Sequence, residues 1–159
     1  KLPRTLLTSG GLGTMGYSMG AAMGAAVGCP DKRVIMFVGD GGFHMNLTEL
    51  ATMASYNIPV IMFVMNNTVL GMVRQWQKIF YGNRFSDTDP HRATDFVKVA
   101  EAFGVKGMRI HTNDEIDAVI DEALKVNGPV LIECRISPDS NVLPMIPPGG
   151  SVKDIKEEM

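Results

Sequence analysis

Apolar residues in this chain fall into short unbroken runs, separated by turns rich in glycine, proline and asparagine. Arg33-Val34-Ile35-Met36-Phe37-Val38 and the run from Pro59 to Met65 are apolar without alternation. That pattern predicts strands covered on both faces, as in a parallel sheet. Val105 to Ile110 predicts a third strand, and Val130-Leu131-Ile132-Glu133-Cys134-Arg135-Ile136 a fourth. Between them, Leu47 to Tyr56, Leu70 to Tyr81, Asp95 to Phe103 and a stretch ending near Val126 predict helices. Asn46 or Thr48 is expected to cap the first of these, Gly104 to stop the third, and Asn113-Asp114-Glu115 to cap the fourth. Strands alternating with helices imply an α/β fold with a mostly parallel sheet.

Residues 14–28 are dominated by Gly, Ala and Met. Glycine weakens a helix while Ala and Met support one, and small residues permit close backbone approach. The expectation is a buried helix, packed on the sheet or on a partner subunit, that Pro30-Asp31-Lys32 breaks. Residues 82–93 are polar and turn-rich, as a loop would be. The tail after Ser137 holds four prolines and ends in charge, so part of it is expected to be extended or disordered. The expected division is one domain over 1–148 and a charged tail over 149–159.

Composition narrows the function classes. A length of 159 residues suits one domain with a real core. The net charge of −2 gives no case for a nucleic-acid partner. No apolar run approaches the roughly 18 residues of a membrane helix. The start lacks both a signal-peptide stretch and an initiator Met, so the chain is read as a fragment or an engineered piece. Cys29 and Cys134 are too few for a disulfide framework and are read as small buried hydrophobes in a reducing cytoplasm.

Three motifs invite chemistry. Gly11-Leu12-Gly13-Thr14-Met15-Gly16 fits a dinucleotide fingerprint, but only ten residues precede it and Asp31 lies before the next strand rather than after it. The dinucleotide reading is therefore rejected. Gly39-Asp40-Gly41-Gly42 follows one apolar run and Asn66-Asn67 closes the next. Ligands in open α/β sheets bind at the carboxyl ends of strands. Glycines let a phosphate approach the backbone, and Asp40 beside a phosphate asks for a cation such as Mg2+, which takes hard oxygen ligands. A ligand-free turn is the competing reading for each motif alone.

Taken together, Gly39-Asp40-Gly41, the intervening residues 42–65 and Asn66-Asn67 resemble the signature of thiamine-diphosphate enzymes. The resemblance implies a three-layer parallel-sheet domain of the thiamine-diphosphate-binding type. It implies Mg2+ held by the side chains of Asp40 and Asn67 and by the carbonyl of Val69. It puts the diphosphate on backbone around Gly41, Gly42 and Phe43, and counts Gly39 and Asp40 among the cofactor-binding residues. Ser9 to Gly16 is similar to the pyrimidine-side segment of the acetolactate synthase branch. There the carbonyl at Gly13 would accept from the cofactor's amino group, and Met15 would wedge beneath the cofactor and hold it bent. From the residues alone, Met15 reads as core packing.

Leu70-Gly71-Met72-Val73-Arg74-Gln75-Trp76-Gln77 is similar to the segment that follows the metal-binding Asn in that branch. The resemblance puts Leu70, Gly71 and Met72 beside the cofactor, and Val73 and Trp76 in the pocket of the second substrate. By helical spacing Met72, Val73 and Trp76 share a face, and Trp76 reads equally as a core or interface anchor. His44, just past the diphosphate turn, is a lesser candidate for the cofactor. Arg74 reads as a partner for a substrate carboxylate or as part of a solvated face. His91, His111 and residues 153–158 read as solvated or structural.

The implied activity is a carboligase that decarboxylates pyruvate and passes the hydroxyethyl unit to a second 2-oxo acid, on the way to branched-chain amino acids. The alternatives are a pyruvate oxidase, a 2-oxo acid decarboxylase, a glyoxylate carboligase or a non-catalytic phosphate-binding module. No carboxylate here matches the activating glutamate of the family, and the FAD of the intact enzymes belongs to a domain outside this chain. The fragment is expected to be inactive alone. The intact protein is expected to be a cytoplasmic homodimer or homotetramer, with a possible regulatory subunit.

Overall fold

The computed structural model describes residues 3–158. The chain resolves into two compact units, one of Lys1–Asn66 with Ala93–Ile136 and one of Asn67–Arg92 with Ser137–Met159.

The first unit is built on a four-stranded parallel sheet of β1 (Val34–Gly39), β2 (Val60–Asn66), β3 (Lys106–Ile110) and β4 (Val130–Arg135), in the order β1-β2-β4-β3. Helices α1 (Tyr17–Gly28), α2 (Asp40–His44), α3 (Leu50–Ser55) and α5 (Phe96–Ala102) bury Met19, Ala22, Phe43, Leu50, Met53, Phe96 and Ala100 against one face. Helix α6 (Ile116–Ala123) covers Ile61, Ile132, Ile110 and Cys134 on the other. The result is the expected three-layer α/β arrangement. Central β2 and β4 are buried almost throughout, which explains their unbroken apolar runs.

Several local expectations are corrected. β1 is an edge strand, and Ile35 and Phe37 are exposed rather than covered. Met36 points into the core, and Phe37 stacks on Phe63 at 5.1 Å, because alternate side chains face opposite ways. α1 begins at Tyr17 and is buried on one face only. The Gly39-Asp40-Gly41-Gly42 turn is itself the start of a helix, α2. The stretch from Leu47 opens as a 3-10 turn and becomes helical at Leu50; Asn46 holds its cap position without a side-chain bond. The Glu115 carboxylate accepts from the His111 and Thr112 N–H groups at 2.7 and 3.3 Å, so the cap centres on Thr112 rather than Asn113. Gly104 does stop α5, in the left-handed conformation it tolerates best.

The second unit contains α4 (Gly71–Phe80) and the tail. The tail is more ordered than its prolines suggest. Met145 and Lys156 form an antiparallel bridge, and Gln75 exchanges two hydrogen bonds with the backbone of Val142.

Candidate functional site

In the first unit, β1 and β2 end side by side, with Gly39 paired to Met65. Asp40 follows at once and is 3% exposed. It opens α2, whose first N–H groups have no partners within the helix. An added Cβ on Gly39 would meet nothing within 4 Å, so there is open space where the helix begins. A cavity of about 350 Å3 adjoins it, lined by Gly39, Gly42, Ser9, Thr14, Met15 and Gly16 among others.

The fold thus brings the segment over 9–16 to the turn at Gly39–Gly42. Gly13 donates to the Ser9 carbonyl at 2.7 Å with φ at 61°, closing a tight turn that glycine accommodates. A Cβ on Gly42 would come within 3.8 Å of the Gly16 nitrogen, which shows how closely the two backbones pass. Met15 is 60% exposed and lines the cavity, so the core-packing reading fails for it. Asp40 itself is buried one residue past Gly39, which lines the cavity, and a carboxylate at a helix start beside glycines has oxygen ligands of the kind a hard cation takes. Among the described residues no strand precedes residues 10–16.

His44 does not turn toward the cavity as a free ligand. Its Nδ1 lies 2.8 Å from the Asp40 carbonyl and its Nε2 2.8 Å from Thr94 Oγ1. A carbonyl only accepts, so Nδ1 carries the proton and Nε2 accepts from the threonine hydroxyl. The ring packs edge-on against Phe96 at 5.1 Å. His44 is a brace for the Asp40 backbone.

In the second unit, Asn67 Oδ1 accepts from the Val69 N–H at 3.2 Å, the side-chain turn typical of asparagine. Thr68 takes a positive φ of 65°, and Val69 is buried. The Leu70 N–H is held by the Thr88 carbonyl at 2.8 Å, and α4 starts at Gly71. Met72, Val73 and Trp76 are all substantially exposed, and Trp76 meets Phe80 edge-on at 5.8 Å. Trp76 is therefore no core anchor of this unit. Arg74 is engaged by Asp139 at 3.1 Å and lies 4.1 Å from the centre of the Phe85 ring. His91 is solvated beside Asp89. Cys29 is exposed, contrary to expectation, while Cys134 is buried and its thiol is pushed up by that burial.

A polar cluster around Glu133 was not anticipated. The sequence signal was an acid and a base, Glu133 and Arg135, inside an otherwise apolar run. Glu133 is fully buried and accepts from Arg109, Arg135 and Asn66. Arg109 is raised above its ordinary range, first by its bond to Glu133.

The chain matches known proteins along most of its length. The family described as thiamine pyrophosphate enzyme, C-terminal TPP binding domain, matches residues 1–134. The chain is 49% identical over 155 residues to a probable acetolactate synthase large subunit of Methanocaldococcus jannaschii, covering 98% of this chain and 26% of that protein. It is 44% identical over 153 residues to the mitochondrial acetolactate synthase catalytic subunit of Saccharomyces cerevisiae, covering 96% and 22%. A solved thiamine diphosphate-dependent 4-hydroxybenzoylformate decarboxylase of Rhodococcus jostii RHA1 matches with a TM-score of 0.73 at 34% identity, over 80% of this chain and 24% of that one. The chain spans about a quarter of the length of these curated relatives.

Proposed function

The chain belongs to the thiamine pyrophosphate enzymes, as their C-terminal TPP-binding domain, and from that membership we propose that it is the cofactor-holding part of an acetolactate synthase catalytic subunit. The observation that carries this reading is the meeting of Met15 and Gly39 around one cavity, next to the buried Asp40. Similarity to acetolactate synthases along nearly the whole chain supports it.

In this reading Mg2+ is held by the Asp40 and Asn67 side chains and the Val69 carbonyl. Gly39, Gly41 and Gly42 give the diphosphate close access to backbone N–H donors. The Gly13 carbonyl accepts from the aminopyrimidine, Met15 supports the bent cofactor, and Leu70, Gly71 and Met72 flank it. Val73 and Trp76 shape the pocket for the second substrate. Bound thiamine diphosphate supplies the carbon nucleophile and the electron sink. In the net reaction pyruvate loses CO2, and its remaining two-carbon unit forms a bond to the keto carbon of a second 2-oxo acid.

The activating glutamate and an FAD site lie, in this proposal, in parts of the protein outside this chain. The assembly is proposed as a homodimer or homotetramer, with a regulatory subunit as a further partner. Among the described residues no helix is long and apolar enough to cross a membrane. The cytoplasm is the proposed compartment, although the yeast relative is named mitochondrial.

The test uses the full-length protein. Calorimetry should show thiamine diphosphate binding that depends on Mg2+, and Asp40→Ala should abolish it. Pyruvate should give acetolactate. Retained Mg2+-dependent binding in Asp40→Ala would remove the metal assignment. Release of acetaldehyde in place of acetolactate would favour a decarboxylase, the reaction class in the name of the Rhodococcus neighbour.

A further inference from the structure

Glu133 lies on central strand β4, and none of its surface reaches solvent. Its neighbours on the same face, Leu131 on β4 and Val64 on β2, are fully buried and apolar, so the carboxylate is the exception in its layer. The strand register pairs Glu133 with Arg109 and Arg135 with Asn66. Side chains two residues apart share a face, so these four converge at the carboxyl end of the sheet. Oε2 accepts from Arg109 Nε at 2.7 Å. Oε1 accepts from Arg135 Nε at 2.8 Å and from Asn66 Nδ2 at 2.6 Å. Arg109 also reaches Asp95, the N-cap of α5, at 2.6 Å.

A buried carboxylate is tolerated only when paired, and the two guanidinium groups meet that demand. The bond from Asn66 adds nothing to the charge balance. It ties down the last residue of β2, whose carbonyl also accepts from the Ile136 N–H at 3.1 Å. Asn66 is therefore fixed by side chain and main chain alike, and the residue that follows it is Asn67. A metal ligand must be held within a fraction of an ångström, and groups behind the ligands do that work.

Building on the metal assignment above, we propose that Glu133 is a positioning residue for the Mg2+ site: by holding the Asn66 amide it fixes the point at which the chain delivers Asn67. Glu133 touches neither metal nor cofactor in this proposal. Arg109 and Arg135 pair with it and keep it aimed, and Asn66 transmits its hold by one peptide bond.

The test is a Mg2+ titration of the full-length protein in the presence of thiamine diphosphate, read by calorimetry, on wild type, Glu133→Gln, Asn66→Ala and the double variant. Each single variant should weaken apparent Mg2+ affinity about tenfold or more, as loss of supporting groups behind metal ligands does. Turnover should recover at saturating Mg2+, because the ligands themselves remain. The double variant should be no weaker than the worse single variant, since both cut the same tie. Unchanged Mg2+ affinity in Asn66→Ala, or additive losses in the double variant, would overturn the proposal. If Glu133→Gln fails to fold, Asn66→Ala decides alone, because it leaves both guanidinium pairings in place. Wild-type cofactor binding that ignores Mg2+ would instead overturn the metal assignment, and this inference with it.

Discussion

The amide nitrogen of Asn67 occupies the space that a side chain on Gly71 would need: a Cβ at position 71 would lie 2.6 Å from Asn67 Nδ2. The same asparagine uses its Oδ1 to accept from Val69. Asn67 is thus held by a backbone donor and has room only because the first residue of α4 is glycine. Gly71→Ala should leave the fold intact, since alanine is the better helix former. It should push the Asn67 amide away and lower Mg2+ affinity of the full-length protein about tenfold, or about 1.4 kcal/mol. Paired thermal melts and Mg2+ titrations check this; an unchanged affinity would show that Asn67 is no ligand or that its amide moves freely.

His44 bridges the Asp40 carbonyl and the Thr94 hydroxyl. His44→Phe preserves an aromatic contact with Phe96 but removes the side-chain bond to the Asp40 carbonyl and leaves the Thr94 hydroxyl without its histidine partner. The expected loss is about 1–3 kcal/mol in chemical denaturation. Adding Thr94→Val removes one orphaned group, so the double variant should lose less than the sum of the two single losses. Strict additivity would argue that the two side chains do not communicate.

Gly16 precedes α1 with φ at 79°, and an added Cβ would collide with the Asn46 side-chain oxygen and lie 3.2 Å from Met45 Cβ. Gly16→Ala combines a backbone conformation costing about 1–2 kcal/mol with that crowding. A destabilisation of about 2–3 kcal/mol is expected by denaturant titration. The cavity wall should shift with it, so weaker cofactor binding is expected in the full-length protein.

Asp95 caps α5 by accepting from Lys98 N–H at 3.2 Å, and it also pairs with Arg109. Its carboxyl is held below the usual range, chiefly by the Lys98 N–H, with Arg109 adding to the effect. A carboxyl depressed on folding stabilises the protein above its unfolded pKa, and that contribution is lost as pH falls through the folded value. The loss is therefore expected below about pH 4. Asp95→Asn keeps a capping oxygen but loses the ion pair, which solvent already screens. The cost should be about 0.5 kcal/mol at neutral pH, shrinking toward zero in acid. Melting curves of both proteins across that range test it; a constant gap would assign the effect to the cap rather than the charge.

The sequence alone determined the layer order of chemistry and core. Unbroken apolar runs such as Val60 to Val64 and Val130 to Ile132 mark strands that only a doubly covered sheet can bury. Gly39-Asp40-Gly41 and Asn66-Asn67 stood out only as a pair, because each alone reads as well as a ligand-free turn and the two end successive apolar runs. Tertiary structure decided the rest. An apolar run does not reveal whether both its faces are covered, so the edge position of β1 and the exposure of Phe37 had to be seen. Helix α2 runs through Asp40-Gly41-Gly42, residues whose propensities argue against it. Met15 reads as core until the chain folds its segment back onto the end of β1 and leaves it lining a cavity. Glu133 shares its strand with Arg135, but its meaning also comes from Arg109 and Asn66 on the two flanking strands, set against them by parallel register. Local propensity and periodicity are written in neighbouring residues, whereas partnership across a sheet is set by register and strand order, which distant parts of the chain fix together.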